Sequence, residues 1–242
     1  MVNKAKKEIG ERLKTPDVYG NSNVRYVKCD TWMESSQINL WTYWQGYQIK
    51  DVDKGVDIML VGQDWGPVEG NDKVFERIKR IEKGEDETYY CKSNSSPTDD
   101  NLVTLFKECL GLDITDRKTK KRLFFTNYSL GYRYKNGSGG MTKTLMRQDK
   151  ELFDELVEAI KPKIIICLGK ITYEAVTDTV VKGFVETLKK GKPLIQKRHI
   201  DSIKKDIKVY GVPHCGTFGT NNVGGMKKME EIWKFIASDD KK

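Results

Sequence analysis

Several features that would assign a protein to a class are missing from this chain of 242 residues. No apolar run approaches the roughly 20 residues that a membrane-spanning helix needs. The first 15 residues are charged and lack the apolar stretch of a secretory signal. The five cysteines are widely spaced and include no Cys-x-x-Cys pair, which argues against a disulfide framework. We therefore expect a cytoplasmic protein without a membrane partner.

What the chain does have is positive charge. Its 43 lysines and arginines exceed its 35 acidic residues, which leaves a net charge of +8. Each basic stretch taken alone is typical of a solvated face, but together they favour a polyanionic partner, with nucleic acid first. The stretches are 117–122, 189–192, 197–199 and 204–205.

Apolar runs and amphipathic stretches alternate along the chain. We predict strands over 56–61, 123–126, 164–168 and 207–212. Helices are predicted over 36–49, 72–83, 97–110 and 142–160, from 171 onward, and over 222–237, with Thr98 or Asp99 capping the third. Residues 183–205 show no clear pattern. Buried strands that alternate with helices predict an α/β fold, a three-layer α/β/α domain with a central four-stranded parallel sheet. Residues 1–50 are expected to form a helical arm packed on this domain, which spans 51–242.

Polar residues follow the predicted strands at the point where each one ends. These residues are Gln63 and Asp64, then Asn127, then Gly169 and Lys170, and finally His214. The carboxyl ends of parallel strands form the crevice where ligands bind in open α/β sheets, so an acid, an amide and an imidazole are expected to meet there.

Each of these positions also has a purely structural interpretation. Asp64 suits a helix cap or a turn, and Asn127 suits a turn that closes a strand. His214 suits a hydrogen-bonded structural histidine, whereas His199 lies in a basic stretch and is expected to face solvent or a phosphate. Phe218 is harder to explain structurally, because a loop seldom exposes a large aromatic side chain without a function.

The order of these motifs resembles the uracil-DNA glycosylase superfamily. Gly62-Gln63-Asp64 is similar to the start of its first motif, and 101–108 resembles its Ser-Leu-x-x-Ile-Phe/Tyr-Lys-Glu helix. Residues 125–127 resemble the strand that ends in the base-reading asparagine, and 160–169 resemble the Pro-x-x-Ile-x-x-Leu-Gly strand. Residues 214–218 stand where the family has His-Pro-Ser-Pro-Leu. The resemblance covers about 57–218 and omits the aromatic N-terminal segment.

The resemblance implies a monomeric enzyme that flips a uracil or related deaminated base out of DNA and hydrolyses its N-glycosidic bond. Asp64 would orient the attacking water and stabilise the cationic sugar, and His214 would hydrogen-bond the leaving base. The implied base-binding residues are Gln63, Tyr90 and Asn127, with Tyr90 stacking on the base and Asn127 reading its edge. Phe218 would wedge into the duplex, with Thr217 and Lys170 at the DNA backbone.

The chain departs from the family at several positions. Gly66 replaces the tyrosine that excludes thymine in the best-known branch, which leaves room for a bulkier base unless another residue, such as Trp65, closes the gap. Gly216 replaces the serine that pinches a phosphate, a role that Thr217 would take over. The cysteines of the iron–sulfur branch are absent, so we expect no metal and no cofactor.

Two other functions remain open at this stage. The altered first motif and the lost serine suit a non-catalytic nucleic-acid-binding protein on the same scaffold. A parallel sheet with an acid at a strand end also suits a hydrolase of free nucleosides or nucleotides.

Overall fold

The computed structural model describes residues 24–25, 55–64, 96–116, 123–129, 132–133, 141–147 and 149–240. Five strands form its main sheet: β1 (Val56–Gly62), β2 (Leu123–Asn127), β3 (Pro162–Leu168), β4 (Leu194–Ile200) and β5 (Lys205–Val212). A separate antiparallel pair joins Val24–Arg25 to Tyr132–Arg133. The described residues form seven α-helices: α1 (Pro97–Leu110), α2 (Lys143–Arg147), α3 (Lys150–Ile160), α4 (Lys170–Thr177), α5 (Phe184–Lys189), α6 (Thr217–Val223) and α7 (Met226–Asp239).

The sheet has the order β2-β1-β3-β5-β4. Strands β1, β2, β3 and β5 are parallel, as predicted, and β4 pairs antiparallel with β5 at the edge. The prediction of four strands was therefore wrong by one. The fifth strand lies within 183–205 and alternates half-buried with exposed residues, because only one of its faces meets the core. An edge strand of this kind lacks the continuous apolar run by which the other four are recognised.

Helices cover both faces of the sheet. On one face, the Phe106 ring of α1 lies 5.3 Å from the Phe125 ring of β2 and 5.2 Å from the Trp233 ring of α7. Tyr210 of β5 points to the same side and donates a hydrogen bond to the Asp239 carboxylate of α7, at 2.9 Å. Neighbouring residues of a strand point to opposite faces, and Gly211 accordingly lies under the Tyr173 ring of α4. The predicted α/β/α layering is confirmed.

Helix α1 begins at Pro97, as predicted, but its capping box starts two residues before the earlier of the two predicted caps. Ser96, rather than Thr98 or Asp99, is the N-cap, and its hydroxyl accepts from the Asp99 N–H at 3.3 Å. The Asp99 carboxylate accepts in return from the Ser96 N–H at 2.9 Å. This reciprocal pair fixes the start of the helix, and Gly111 ends it in the left-handed conformation with φ of 67°.

Two predicted helices are each divided in two. The stretch 142–160 forms α2 and α3, which are separated at the fully buried Asp149. The stretch 222–237 is split at Gly224 and Gly225, whose φ values of 104° and 95° lie outside the helical region. The ends predicted at Leu110 and before Pro162 are confirmed, and Pro162 opens β3.

Several predictions fall outside the described residues. These concern the arm and helix within 1–50, the helix over 72–83, and Trp65, Gly66 and Tyr90. The division of the chain near residue 50 stays a prediction. Among the helices that the structure describes, none has the length and apolar character to cross a bilayer.

Candidate active site

The candidate site lies at the carboxyl edge of the four parallel strands. The strand register sets Gly62 beside Asn127, Val61 beside Cys167, and Leu168 beside Val212. The residues that follow these strand ends therefore emerge at one edge. Gln63 and Asp64 come from β1, Gly169 and Lys170 from β3, and His214 from β5, while Asn127 is itself the last residue of β2.

The Asn127 side chain lies directly across the backbone of Gly62. Asn127 is 3% exposed. A Cβ atom at Gly62 would stand 2.2 Å from the Asn127 Oδ1 atom, well inside any permitted contact. Gly62 is therefore needed for space, so that the amide of β2 can lie beside the loop that carries Asp64.

Hydrogen bonds extend the pairing of β1 and β2 past the ends of the strands. The Tyr128 N–H donates to the Gly62 carbonyl at 2.9 Å, and the Ser129 N–H donates to the Gln63 carbonyl at 3.0 Å. The Ser129 hydroxyl in turn donates to the Asp149 carboxylate at 3.2 Å, a buried pair. These bonds fix the backbone on which Asp64 is held, one residue beyond Gln63.

The imidazole of His214 is held in one tautomer by the turn that follows it. The Gly216 N–H donates a hydrogen bond to His214 Nδ1 at 3.0 Å. Since Nδ1 accepts this bond, the neutral ring carries its proton on Nε2. His214 also lies beside Gly169, where a Cβ atom would stand 4.0 Å from the His214 Cβ. The site therefore presents an Nε2–H donor close to the start of α4.

The electrostatic surroundings keep this imidazole neutral. Part of the side chain reaches solvent, yet burial of the ring by surrounding protein lowers the pKa of His214 below its ordinary value of 6.5. The Asp64 carboxylate acts in the opposite direction and raises the pKa of His214, by a smaller amount. Burial outweighs the effect of the Asp64 carboxylate, so His214 stays uncharged near pH 7.

The two histidines are expected to titrate in opposite directions from 6.5. Burial lowers the pKa of His214, whereas a hydrogen bond to Asp206 raises the pKa of His199. Asp64→Asn removes the opposing carboxylate and should lower the His214 midpoint further while leaving His199 unchanged. The ring Cε1–H signals, followed by NMR against pH and assigned with a His199→Gln variant, measure both midpoints. A His214 midpoint at or above 6.5, or one that Asp64→Asn leaves in place, would contradict this geometry.

Two residues of α1 support the site in a way that the sequence did not reveal. The Asn101 amide donates to the Cys215 carbonyl at 2.6 Å and ties the helix to the turn after His214. The Thr98 hydroxyl lies 3.0 Å from the point where a Cβ atom at Gly216 would stand, on the side of the His214 ring. Both residues lie in a helix predicted from its pattern, but only the tertiary contact shows which turn they meet.

The residues assigned to DNA contact lie on the rim of this edge. Phe218, in the first turn of α6, is 84% exposed, and Thr217 beside it is also exposed. The side chain of Lys170 is about half exposed, and its ammonium lies 3.9 Å from a carboxylate oxygen of the largely buried Glu174. The Lys170 side chain therefore runs along α4 toward Glu174 and does not point away from the first turn of the helix. Gln63 is half-buried, and Tyr90 lies outside the described residues.

The described residues hold no cluster of three or more histidine, cysteine or acidic side chains that could hold a metal ion. The three cysteines of this part of the chain, Cys109, Cys167 and Cys215, are buried. Burial raises the pKa of the Cys109 thiol to about 11, and the pKa values of Cys167 and Cys215 are also raised by burial. These thiols are therefore protonated near neutral pH and unsuited to nucleophilic chemistry.

The substitution Gly62→Ala tests the contact between β1 and the amide of β2. The added methyl group would overlap Asn127 Oδ1, so the amide must move away from the site. In an assay for the base release that the resemblance implies, we expect a fall of about tenfold to a hundredfold, because misplacing a positioning group by about 1 Å has that effect. Gly111→Ala is a control for lost stability alone, because its φ of 67° strains an alanine while a Cβ atom there meets nothing within 4 Å. Equal activity of Gly62→Ala and wild type would show that Asn127 has no role in the site.

Comparison with known proteins adds no family to this description. A scan against models of protein families finds no match, and a search of curated proteins finds no significant relative.

Proposed function

We propose that this protein is a DNA glycosylase that hydrolyses the N-glycosidic bond of a flipped-out uracil or related deaminated base. One observation carries the proposal: parallel strands bring a carboxylate and an imidazole to the same edge of the sheet, and the Gly216 N–H fixes the imidazole as an Nε2–H donor. A donor of this kind suits a leaving group that gains negative charge on an oxygen. A carboxylate suits a sugar that gains positive charge.

The reaction divides between two of these side chains. Asp64 orients a water molecule whose oxygen forms a bond to C1′ of the sugar while the C1′–N1 bond breaks. The bonding electron pair leaves with the base, and the His214 Nε2–H stabilises the negative charge on its O2 atom. The proton released from the attacking water passes to Asp64 and then to solvent, and the base anion takes up a proton from solvent.

Selection of the base falls to the amide of Asn127. An asparagine side chain offers one acceptor oxygen and two N–H donors, which complement the N3–H donor and O4 acceptor of uracil. The amide is 3% exposed and packed over Gly62, so its contacts are pre-organised. Tyr90 stacks on the base and the exposed Phe218 fills the gap that the base leaves in the duplex.

Release of free base tests the proposal. Oligonucleotides with labelled uracil, hypoxanthine or xanthine, each single- and double-stranded, are incubated with the protein, and free base is separated and counted. We expect release from at least the uracil oligonucleotide, and none from free deoxyuridine or its monophosphate. Release from the free nucleosides alone would favour a small-molecule hydrolase, and no release from any oligonucleotide would reject the glycosylase.

A second candidate is a nucleic-acid-binding protein without catalysis. The exposure of Phe218 favours it, because an aromatic ring at the rim can insert into a duplex whether or not chemistry follows. DNA binding with no abasic product from any lesion would support this alternative.

A further inference from the structure

The antiparallel edge of the sheet carries a basic surface that none of the assigned roles uses. The segment 189–192 runs from the last residue of α5 toward β4, and its Lys189, Lys190 and Lys192 are all exposed. No ion pair with these three lysines occurs within the part of the chain that the structure describes. We call these three residues the lysine loop.

The strand register places the lysine loop at the same edge as the candidate site. Leu194, the first residue of β4, pairs with Gly211 of β5, three residues before His214. The last residue of β4, Ile200, pairs with Lys205 at the opposite end of the sheet. Because β4 runs antiparallel to β5, the segment that precedes β4 emerges beside the strand end that carries His214.

Two contacts hold this segment beside α6, the helix that bears Phe218, and against α7. Helix α5 packs against α6. Gly191, with φ of 75°, turns the chain against α7, where a Cβ atom would stand 2.7 Å from a carboxylate oxygen of Glu231. Glu231 is itself paired with Lys228. Lys227, one turn before Glu231, is exposed and adds a further positive charge to this face.

We propose that the lysine loop binds the phosphate backbone of DNA on the β4 side of the base-flipping site. The proposal rests on the nucleic-acid partner of the proposed function. Lysine ammonium groups act as point charges that neutralise phosphates and release counterions, which adds affinity without sequence preference. The lysine loop binds the duplex to one side of Phe218, so that the duplex stays bound while a base is extruded.

The chain offers a matched control for this surface. Lys197, Lys204 and Lys205 are also exposed, but Lys204 and Lys205 lie at the opposite end of the sheet and Lys197 lies within β4. The combined variant Lys189→Gln, Lys190→Gln and Lys192→Gln loses the same charge as the combined variant Lys197→Gln, Lys204→Gln and Lys205→Gln. A general effect of net charge would therefore be equal in the two.

Binding of an undamaged, fluorescently labelled 20-base-pair duplex is measured by anisotropy as a function of salt concentration. For the lysine-loop variant we expect the slope of log affinity against log salt to become shallower by about two to three, since each phosphate contact contributes about 0.9. The affinity at low salt should fall about tenfold to a hundredfold, and the control variant should change much less. Thermal melting checks that both variants are folded.

Three results would overturn the proposal. The first is an unchanged salt slope in the lysine-loop variant. The second is an equal loss of DNA affinity in both variants, which would show that the effect comes from net charge alone. The third is a lysine-loop variant that loses binding to phosphatidylserine vesicles but still binds DNA as wild type does, which would assign this surface to membranes. The measurement uses undamaged DNA and does not require catalysis. It can therefore be interpreted even if the wild-type protein releases no base.

Discussion

The variant Asp64→Asn is expected to lower the rate of base release by about 10²–10⁴-fold, the range typical of a positioned acid–base group. Asparagine keeps the size of the side chain but loses the negative charge that faces the cationic sugar and the lone pairs that take a proton from water. Asp64 is half-buried in the free protein, and the effect is expected to be large once bound DNA covers it, because charge is poorly screened where water is excluded. Binding of uracil-containing duplex should stay within about twofold, because the phosphates rather than the sugar cation provide most of that affinity.

A matched substitution on the same strand separates chemistry from folding. Asp57→Asn also replaces an acid of β1, but Asp57 lies at the amino end of the strand, where it pairs with Lys163 at 2.7 Å. Its loss should leave base release unchanged. Rates of abasic-site formation in single-turnover conditions measure both variants. A rate for Asp64→Asn within tenfold of wild type would remove Asp64 from the reaction.

The variant Asn127→Asp is expected to change base preference. An ionised aspartate offers hydrogen-bond acceptors and no donors. It therefore repels the O4 atom of uracil and complements the N4–H₂ donor of cytosine. A site built to hydrogen-bond its substrate rejects a mismatched analogue strongly, because buried polar groups are left unpaired. Release of uracil should fall by about 10²-fold or more, and the ratio of cytosine to uracil release should rise.

Competition between uracil- and cytosine-containing duplexes in one reaction measures that ratio directly. Asn222→Asp is the control, since Asn222 is exposed on α6 and the substitution makes the same charge change. It can weaken DNA binding but should leave the ratio unaltered. An equal change of the ratio in both variants, or none in Asn127→Asp, would contradict base reading by Asn127.

The strands that position the site were predictable because they are buried on both sides. Each of β1, β2, β3 and β5 ends in four or more consecutive buried residues, most of them apolar, which is typical of parallel strands covered on both faces. Strand β4 escaped detection because it packs on one face only and carries Lys197, Arg198 and His199 in its middle. Arg198 is held there by tertiary contacts, at 2.6 Å to Asp154 and 3.0 Å to the Val176 carbonyl, which local sequence cannot show.

The breaks in the helices show a similar limit. The paired glycines 224–225 were a visible signal for a break between α6 and α7, since both take positive φ. The break before α3 had a weaker signal, because Asp149 looks like a solvent-facing residue of an amphipathic helix. It is instead fully buried and accepts from Ser129 in the loop after β2.

The position of three candidate residues at one edge of the sheet was predictable, but the tautomer and packing around them were not. Strand ends alone indicated that Asp64, Asn127 and His214 emerge at one edge, and the register places their strand ends together. The tautomer of His214 could not be predicted, because it depends on a backbone N–H two residues later in a turn. The steric need for glycine at position 62 likewise depends on a neighbouring strand.

The most direct test of the central claim is a crystal structure of the Asp64→Asn variant bound to a duplex with one uracil. The proposed function predicts an extruded uracil, with His214 Nε2 and the Asn127 amide each about 2.7–3.2 Å from its polar atoms. It also predicts residue 64 beside C1′ of the sugar and Phe218 inserted in the stack. A uracil that stays stacked in the duplex, or one bound away from the ends of β1, β2 and β5, would contradict it.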